Sequence, residues 1–125
     1  MVTIPNAEGV LVKYLRNELG VAVYQTPPRN PQGSYIRIAR IGGTMRNVVT
    51  DSAAIAISVY ADDSATACDL INEVRAILMN APGEMIEGAW CRSWVEVGGP
   101  VFFPDPENVD RPSYRMNGEI RLAVR

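Results

Sequence analysis

The sequence contains no histidine. Histidine is the usual general base near neutral pH and the commonest metal ligand, so its absence removes the Ser–His–Asp type of catalytic site and most metal centres. No serine lies in a G-x-S-x-G motif, and the glycine pairs match neither of the common phosphate-binding loops. We therefore expect no catalytic residue, no metal and no cofactor, and predict that the protein is not an enzyme.

Cysteine and lysine are also scarce. Cys68 and Cys91 are too few for a four-cysteine zinc site and are interpreted as small buried residues in a reducing compartment, with a disulfide or a reactive thiol as alternatives. The chain contains one lysine, Lys13, and eleven arginines. A GC-rich coding genome explains this ratio without a function, and arginine contacts at protein interfaces are the other explanation.

The chain has no long apolar run and no excess of positive charge. A net charge of −2 gives no general attraction to nucleic acid or to an anionic membrane. No apolar run approaches the ~18 residues of a membrane span, and the N-terminus lacks the order of a signal peptide.

Two acidic clusters have ordinary explanations. Asp62 and Asp63 are best explained as the capped start of a helix, with a cation site or an acid–base pair as the alternatives. A second cluster lies in one loop and lacks EF-hand spacing, so it favours a solvated acidic loop over a calcium site. Its members are Asp105, Glu107 and Asp110.

The apolar periodicity predicts two helices and a sheet in one domain spanning residues 1–125. The helices are expected near 6–19 and 64–80, with Asn6 and Asp63 or Ser64 as N-caps and Gly20 as a C-cap. Period-two alternation predicts strands at 34–41, 53–61, 90–97 and 113–124, and a short strand at 21–24. This order favours an α+β fold, with two helices on one face of a mostly antiparallel sheet of four to five strands.

The chain is also predicted to have three long loops, at 25–33, 42–52 and 98–112, which favour binding surfaces. We expect partner contacts at Arg46 and Asp51 in the second loop and at Phe102, Phe103 and Asp105 in the third. The two phenylalanines are interpreted as an apolar anchor or, alternatively, as side chains folded back onto the core. The polar face of the last strand adds Arg115 and Arg121, which fit a subunit interface or a solvated face.

Taken in order, these segments resemble the tail terminator proteins of long-tailed bacteriophages, also called tail completion or minor tail proteins, most closely those of actinobacterial phages. The matching pieces are an amphipathic helix with Val12–Arg16 ending at Leu19-Gly20, then Arg40–Gly43, Arg46-Asn47 with Val49–Asp51, Tyr60–Asp62, a helix with Leu70 and Val74-Arg75, Gly98–Pro100, Pro104–Pro106 and a last strand from Tyr114 to Arg125.

The resemblance implies a structural virion protein without catalytic residues. It implies a six-fold ring of identical subunits at the head-proximal end of the tail tube, assembled in the host cytoplasm. The ring would stop tube polymerisation, contact the major tail tube protein and the head–tail connector, and let genome DNA pass without sequence-specific binding. A head–tail connector or neck protein is the nearest alternative, and a cellular α+β module for a small ligand is a more distant one.

Overall fold

The structure, a computed structural model, describes residues 2–106 and 110–125. Its elements follow the order helix, short strand, two long strands, helix, short strand, two long strands. Their bounds are α1 (Ala7–Leu19), β1 (Ala22–Tyr24), β2 (Tyr35–Asn47), β3 (Thr50–Tyr60), α2 (Ser64–Met79), β4 (Met85–Ile86), β5 (Ala89–Phe102) and β6 (Ser113–Ala123).

Both helices begin and end where the sequence predicts. Asn6 caps α1 by accepting from the Gly9 amide, and Gly20 ends it in the left-handed conformation, at a φ of 66°. Asp63 caps α2 through the Thr66 amide. Position 9 favours glycine, because a Cβ there would lie 2.9 Å from the Asn6 side chain that makes the cap.

The strands form one mixed sheet in the order β1-β2-β3-β6-β5-β4. Only the β1–β2 pair is parallel among the pairs of the described residues. The sheet has six strands rather than four to five, because the two-residue β4 gives almost no sequence signal. The prediction of two helices packed on a mostly antiparallel sheet is confirmed.

The hydrophobic core lies between the helices and one face of the sheet. On β6 the apolar side chains Met116, Ile120 and Leu122 are fully buried, while Asn117 and Arg121 are only half-buried on the opposite face. The predicted alternation along this strand is thus confirmed. Cys91 is buried in the same core, and burial raises the pKa of its thiol to about 11.

The predicted loop at 42–52 is wrong, because β2 and β3 continue through it as a long hairpin with its turn at 48–49. Gly42 and Gly43 lie inside β2 rather than ending it. Gly43 has a φ of 109°, and a Cβ there would overlap the backbone oxygen of Ser52. The glycine pair therefore accommodates a register shift in the strand, which from sequence alone has the same signature as a turn.

The predicted loop at 98–112 is also shorter than expected, because β5 runs on to Phe102. Register shifts between Glu96 and Gly98 and between Gly98 and Val101 accommodate Gly99 and Pro100 within this edge strand. Of the predicted acidic loop, Glu107 lies outside the described residues.

Candidate assembly surfaces

The two long hairpins place their ends on opposite sides of the molecule. Antiparallel pairing sets Thr50 beside Ala123 at one end of the sheet, and Tyr60 beside Ser113 at the other. We call the first the hairpin end, formed by the β2–β3 turn and both chain termini. We call the second the loop end, formed by the segments 25–33 and 103–106 with 110–112.

A stacked tyrosine pair organises the loop end. The rings of Tyr35 and Tyr60 lie 4.5 Å apart and almost parallel, and both residues are buried. The Tyr60 hydroxyl donates to Asp105 at 2.9 Å. Burial, followed by this hydrogen bond, raises the pKa of Tyr60 to about 12. The bond ties the loop that follows β5 to the centre of the sheet.

Arg111 fastens the proline-rich segment to the same end. Its guanidinium donates to the carbonyl oxygens of Gly33 and Pro31, and it lies 6.0 Å from the centre of the Tyr35 ring. Asp62 stands 3.7 Å away on the exposed side. Arg111, Pro31 and Tyr35 are among the residues that line an open, polar cleft of about 710 Å³.

Phe102 and Phe103 remain about half exposed at the loop end, at 48% and 47%. Phe102 packs edge-on against Tyr114 with the ring centres 5.6 Å apart. Phe103 lies under the Arg115 guanidinium at 5.3 Å, within the range of a cation–π contact. Each ring therefore has an aromatic or cationic neighbour and leaves about half of its surface to solvent.

Asp51 is at the hairpin end but does not face solvent. It is 4% exposed and accepts two hydrogen bonds from Arg40, at 2.8 and 3.1 Å. The hydrogen bond to Asp51 raises the pKa of Arg40. Because this bidentate pair occupies the carboxylate, any role of Asp51 in partner contacts acts through the shape of the hairpin. Sequence reasoning missed Arg40, which lies eleven positions earlier and gives no local signal.

One group of exposed apolar side chains lies at the hairpin end. Val48 is 85% exposed and Val49 46% exposed at the turn. The Val49 carbonyl accepts from the Val124 amide, and Arg125 pairs through its backbone with Thr3, which brings exposed Val2 and Ile4 to the same end. Isolated exposed valines are common, but a group of them at one end of a small domain is typical of a contact surface.

We call the sheet face away from the helices the open face; it is polar along β6, whereas β5 adds the exposed Val95 and Val101 to it. Glu119 on β6 accepts from the Ser52 hydroxyl and pairs with Arg121 at 3.4 Å. The Ser52 hydrogen bond, then Arg121 and Arg46, lower the pKa of Glu119. Of the sequence-predicted contact residues, Arg115 and Arg121 share this face, and Arg46 is close enough to act on its carboxylate.

Among solved structures, the fold is similar to that of a virion component. A chain from the virion of a native gene transfer agent particle superposes with a TM-score of 0.63 over 87% of this chain and 84% of that one, at 17% identity. The two chains share a fold. No protein-family model matches the sequence, and no match is found among curated proteins.

Nothing in the described part of the chain has the arrangement of a metal centre. Residues 2–106 and 110–125 contain no cluster of three or more side chains of the ligating types. In the same residues, no helix has the length and hydropathy that crossing a membrane requires. The notable chemistry of the described residues is that of contact surfaces: two dissimilar ends and an open face that is polar along β6.

Proposed function

We propose that this chain is a structural virion protein, and specifically the ring-forming tail terminator of a long-tailed phage or phage-like particle. The observation that carries the proposal is the fold shared, over most of both chains, with a component of a gene transfer agent virion. The ordered series of segments that resembles tail terminators supports the finer assignment. The fold by itself does not specify a role, so the two ends of the molecule must be consistent with it.

Those ends fit a subunit that joins two different structures. The hairpin end is apolar and formed by a β-turn with both termini, whereas the loop end combines a polar cleft with two half-exposed phenylalanines. A terminator contacts the tube on one side and the neck of the head on the other, so its two ends need different chemistry. In this proposal the partners are further copies of the same chain, the tail tube protein and the connector, and the genome passes through the ring.

Deletion of the gene from its particle tests this function. We expect tails of uncontrolled length or tails that fail to join heads, while filled heads accumulate, and we expect the wild-type gene supplied in trans to restore infectious particles. Heads that lose their DNA beside tails of normal length would instead indicate a neck protein. Normal infectious particles without the protein would refute both roles.

Direct localisation gives an independent check. Antibody or gold labelling of an exposed tag on purified particles should mark the junction between head and tail. Lys13 is an exposed position on α1, away from the open face, and a tag linked there leaves both ends unmodified. Labelling at the distal tail tip would contradict the proposal.

A further inference from the structure

The open face of the sheet contains a shallow trough of small residues. At alternate positions, β3 presents Ser52, Ala54, Ala56 and Ser58 to this face. Their β2 partners are also small for three of the four, namely Thr44, Gly42 and Ala39. No helix of the described chain packs over this trough, whereas the opposite face of the same strands carries both helices; Ser52 and Ala56 are nevertheless buried, at 3% and 5% exposure.

A positively charged ridge borders the trough. Arg115, Asn117, Glu119 and Arg121 stand at successive open-face positions of β6. Arg37 faces Ser58 from β2, in line with Arg115, and closes one end of the trough. These positions hold three arginines and one glutamate, so the rim of the trough favours an acidic partner.

Polar atoms on this face also lack partners. Among the described residues, the Asn117 side-chain oxygen, the Arg121 Nε and the Ser93 hydroxyl are buried without a hydrogen bond. Ser93 pairs with Arg121 in the sheet register, so both lie on the open face. The chain itself already covers these three atoms, so they take no direct part in a contact with a neighbouring copy.

The outward side of α2 has the complementary character. Its exposed stripe follows helical spacing and contains two carboxylates, no cation and several small side chains: Ala65, Thr66, Asp69, Asn72, Glu73, Ala76 and Met79. The one cation of α2, Arg75, turns towards the sheet and forms two hydrogen bonds with Glu96, at 2.6 and 3.0 Å. The stripe therefore presents uncompensated negative charge.

We propose that the acidic outer stripe of α2 in one copy packs into the open-face trough of a neighbouring copy. The lengths agree: the sixteen residues of α2 span about 24 Å, and β6 from Arg115 to Arg121 spans about 20 Å. Small residues on both surfaces allow the helix to approach the sheet closely, and carboxylates meet arginines. Because the two surfaces differ, the contact is head-to-tail, which is the type of contact that a ring of identical subunits requires. This inference rests on the proposed function and supplies the interface of its ring.

Charge reversal on each surface tests the contact. Asp69→Lys with Glu73→Lys makes the helix stripe positive, and Arg115→Glu with Arg121→Glu makes the ridge negative. Each double variant alone should raise the dissociation constant of self-association by about tenfold or more, because like charges then face each other. Sedimentation equilibrium at concentrations up to the millimolar range measures this change. Glu18→Lys and Lys13→Glu on α1 are the matched controls and should associate as the wild type does. Circular dichroism and thermal unfolding check that every variant is folded.

Mixing the two reversed variants gives the discriminating result. A positive helix stripe fits a negative ridge, and the native stripe of the second variant fits the native ridge of the first. An equimolar mixture should therefore assemble again as an alternating ring, with an even number of subunits by native mass spectrometry. A chain that carries all four substitutions should also associate with itself.

Three outcomes overturn the proposal. The wild-type protein stays monomeric at millimolar concentration, or neither charge reversal changes self-association, or mixing the two reversed variants does not restore the self-association that each has lost. Duplex DNA is the rival occupant. Tight binding of a DNA probe that Arg115→Glu with Arg121→Glu abolishes, with self-association unchanged, would assign the face to DNA. These results concern only the contact, whereas failure of the proposed function would appear as normal particles in the gene deletion.

Discussion

Gly118 illustrates how a single residue fixes the packing on the helix side of the sheet. A Cβ at this position would overlap the indole ring of Trp94, which lies directly on the glycine. Trp94 packs against the core from β5, and its register partner is Ile120. The absence of a side chain at Gly118 therefore makes room for the Trp94 ring, and the position is not a flexible point in the strand.

Gly118→Ala should lower the free energy of unfolding by about 1–3 kcal/mol, the usual cost of an overpacked core. Urea unfolding monitored by tryptophan fluorescence measures it. Gly98→Ala on β5 is the matched control, because nothing lies within 4 Å of its Cβ position. In a Trp94→Leu background, where a smaller side chain replaces the indole, Gly118→Ala should cost less. Equal stability of Gly118→Ala and Gly98→Ala would show that the Trp94 ring does not require a glycine at position 118.

Tyr60 makes stability depend on pH in the alkaline range. Its pKa is raised from 10.0 to about 12 by burial and by its hydrogen bond to Asp105. The folded protein therefore holds a proton that the unfolded chain releases, so this contribution is present below pH 10 and is lost as the pH rises towards 12.

Tyr60→Phe should flatten the loss of stability between pH 10 and 12, as measured by urea unfolding at a series of pH values. Cys91 contributes in an overlapping range, since its pKa is raised from 9.0 to about 11. The comparison is therefore made in a Cys91→Ala background, where only the phenol differs. An unchanged alkaline slope in Tyr60→Phe would contradict the assignment.

At the scale of elements, α1 depends on its first turn. The Asn6 side chain accepts from the Gly9 amide at 3.2 Å, and the Asn6 carbonyl accepts from the Val10 amide at 2.9 Å. Glu8, in the same turn, also accepts the Arg40 amide at the edge of β2. The cap thus stabilises both the helix and its contact with the sheet.

Asn6→Ala should lower the free energy of unfolding by about 1 kcal/mol, whereas Asn6→Ser, which keeps a side-chain acceptor, should lose much less. Chemical denaturation of the three proteins measures the difference. Hydrogen exchange should show the loss in the amides of the first turn of α1. Equal destabilisation by alanine and serine would mean that the amide is needed for something other than capping.

The elements with a local signal were predictable, and those set by distant partners were not. Caps at Asn6, Asp63 and Gly20 fixed the helices, and alternation fixed the inward side chains of β6. The continuation of β2 through Gly42-Gly43 depends on pairing with β3, so glycines that accommodate a register shift were interpreted as a loop. β4 consists of two residues that pair with the start of β5, and it has no pattern of its own.

The candidate surfaces show the same limit. The positions of Arg115 and Arg121 on the open face follow from strand alternation and were foreseen. The burial of Asp51 by Arg40 and the contact of Tyr60 with Asp105 join residues 11 and 45 positions apart, and no spacing rule connects them. The residue types indicated that contacts exist, but only the folded structure shows which side chains already form hydrogen bonds within the chain.

For the whole molecule, the dissimilar ends carry the most specific expectation. If the hairpin end and the loop end bind different structures in the particle, a substitution at each end should disrupt a different contact. Val48→Asp alters the most exposed valine of the hairpin turn, and Phe103→Ala removes a half-exposed ring at the loop end. Neither side chain is part of the core: Val48→Asp should keep wild-type stability within about 0.5 kcal/mol, and Phe103→Ala should lose about 1 kcal/mol with its contact to Arg115.

In particles that lack the native gene and receive one variant in trans, we expect two distinct defects. One variant should leave tails of irregular length, because the protein no longer binds the tube. The other should give tails of normal length that carry the protein but remain separate from filled heads. Electron microscopy of the lysates distinguishes these states, and a Lys13→Ala variant serves as a control that should assemble normally. The same defect from both variants would mean that the two ends do not contact different structures, because a subunit joined through one surface cannot separate length control from head attachment.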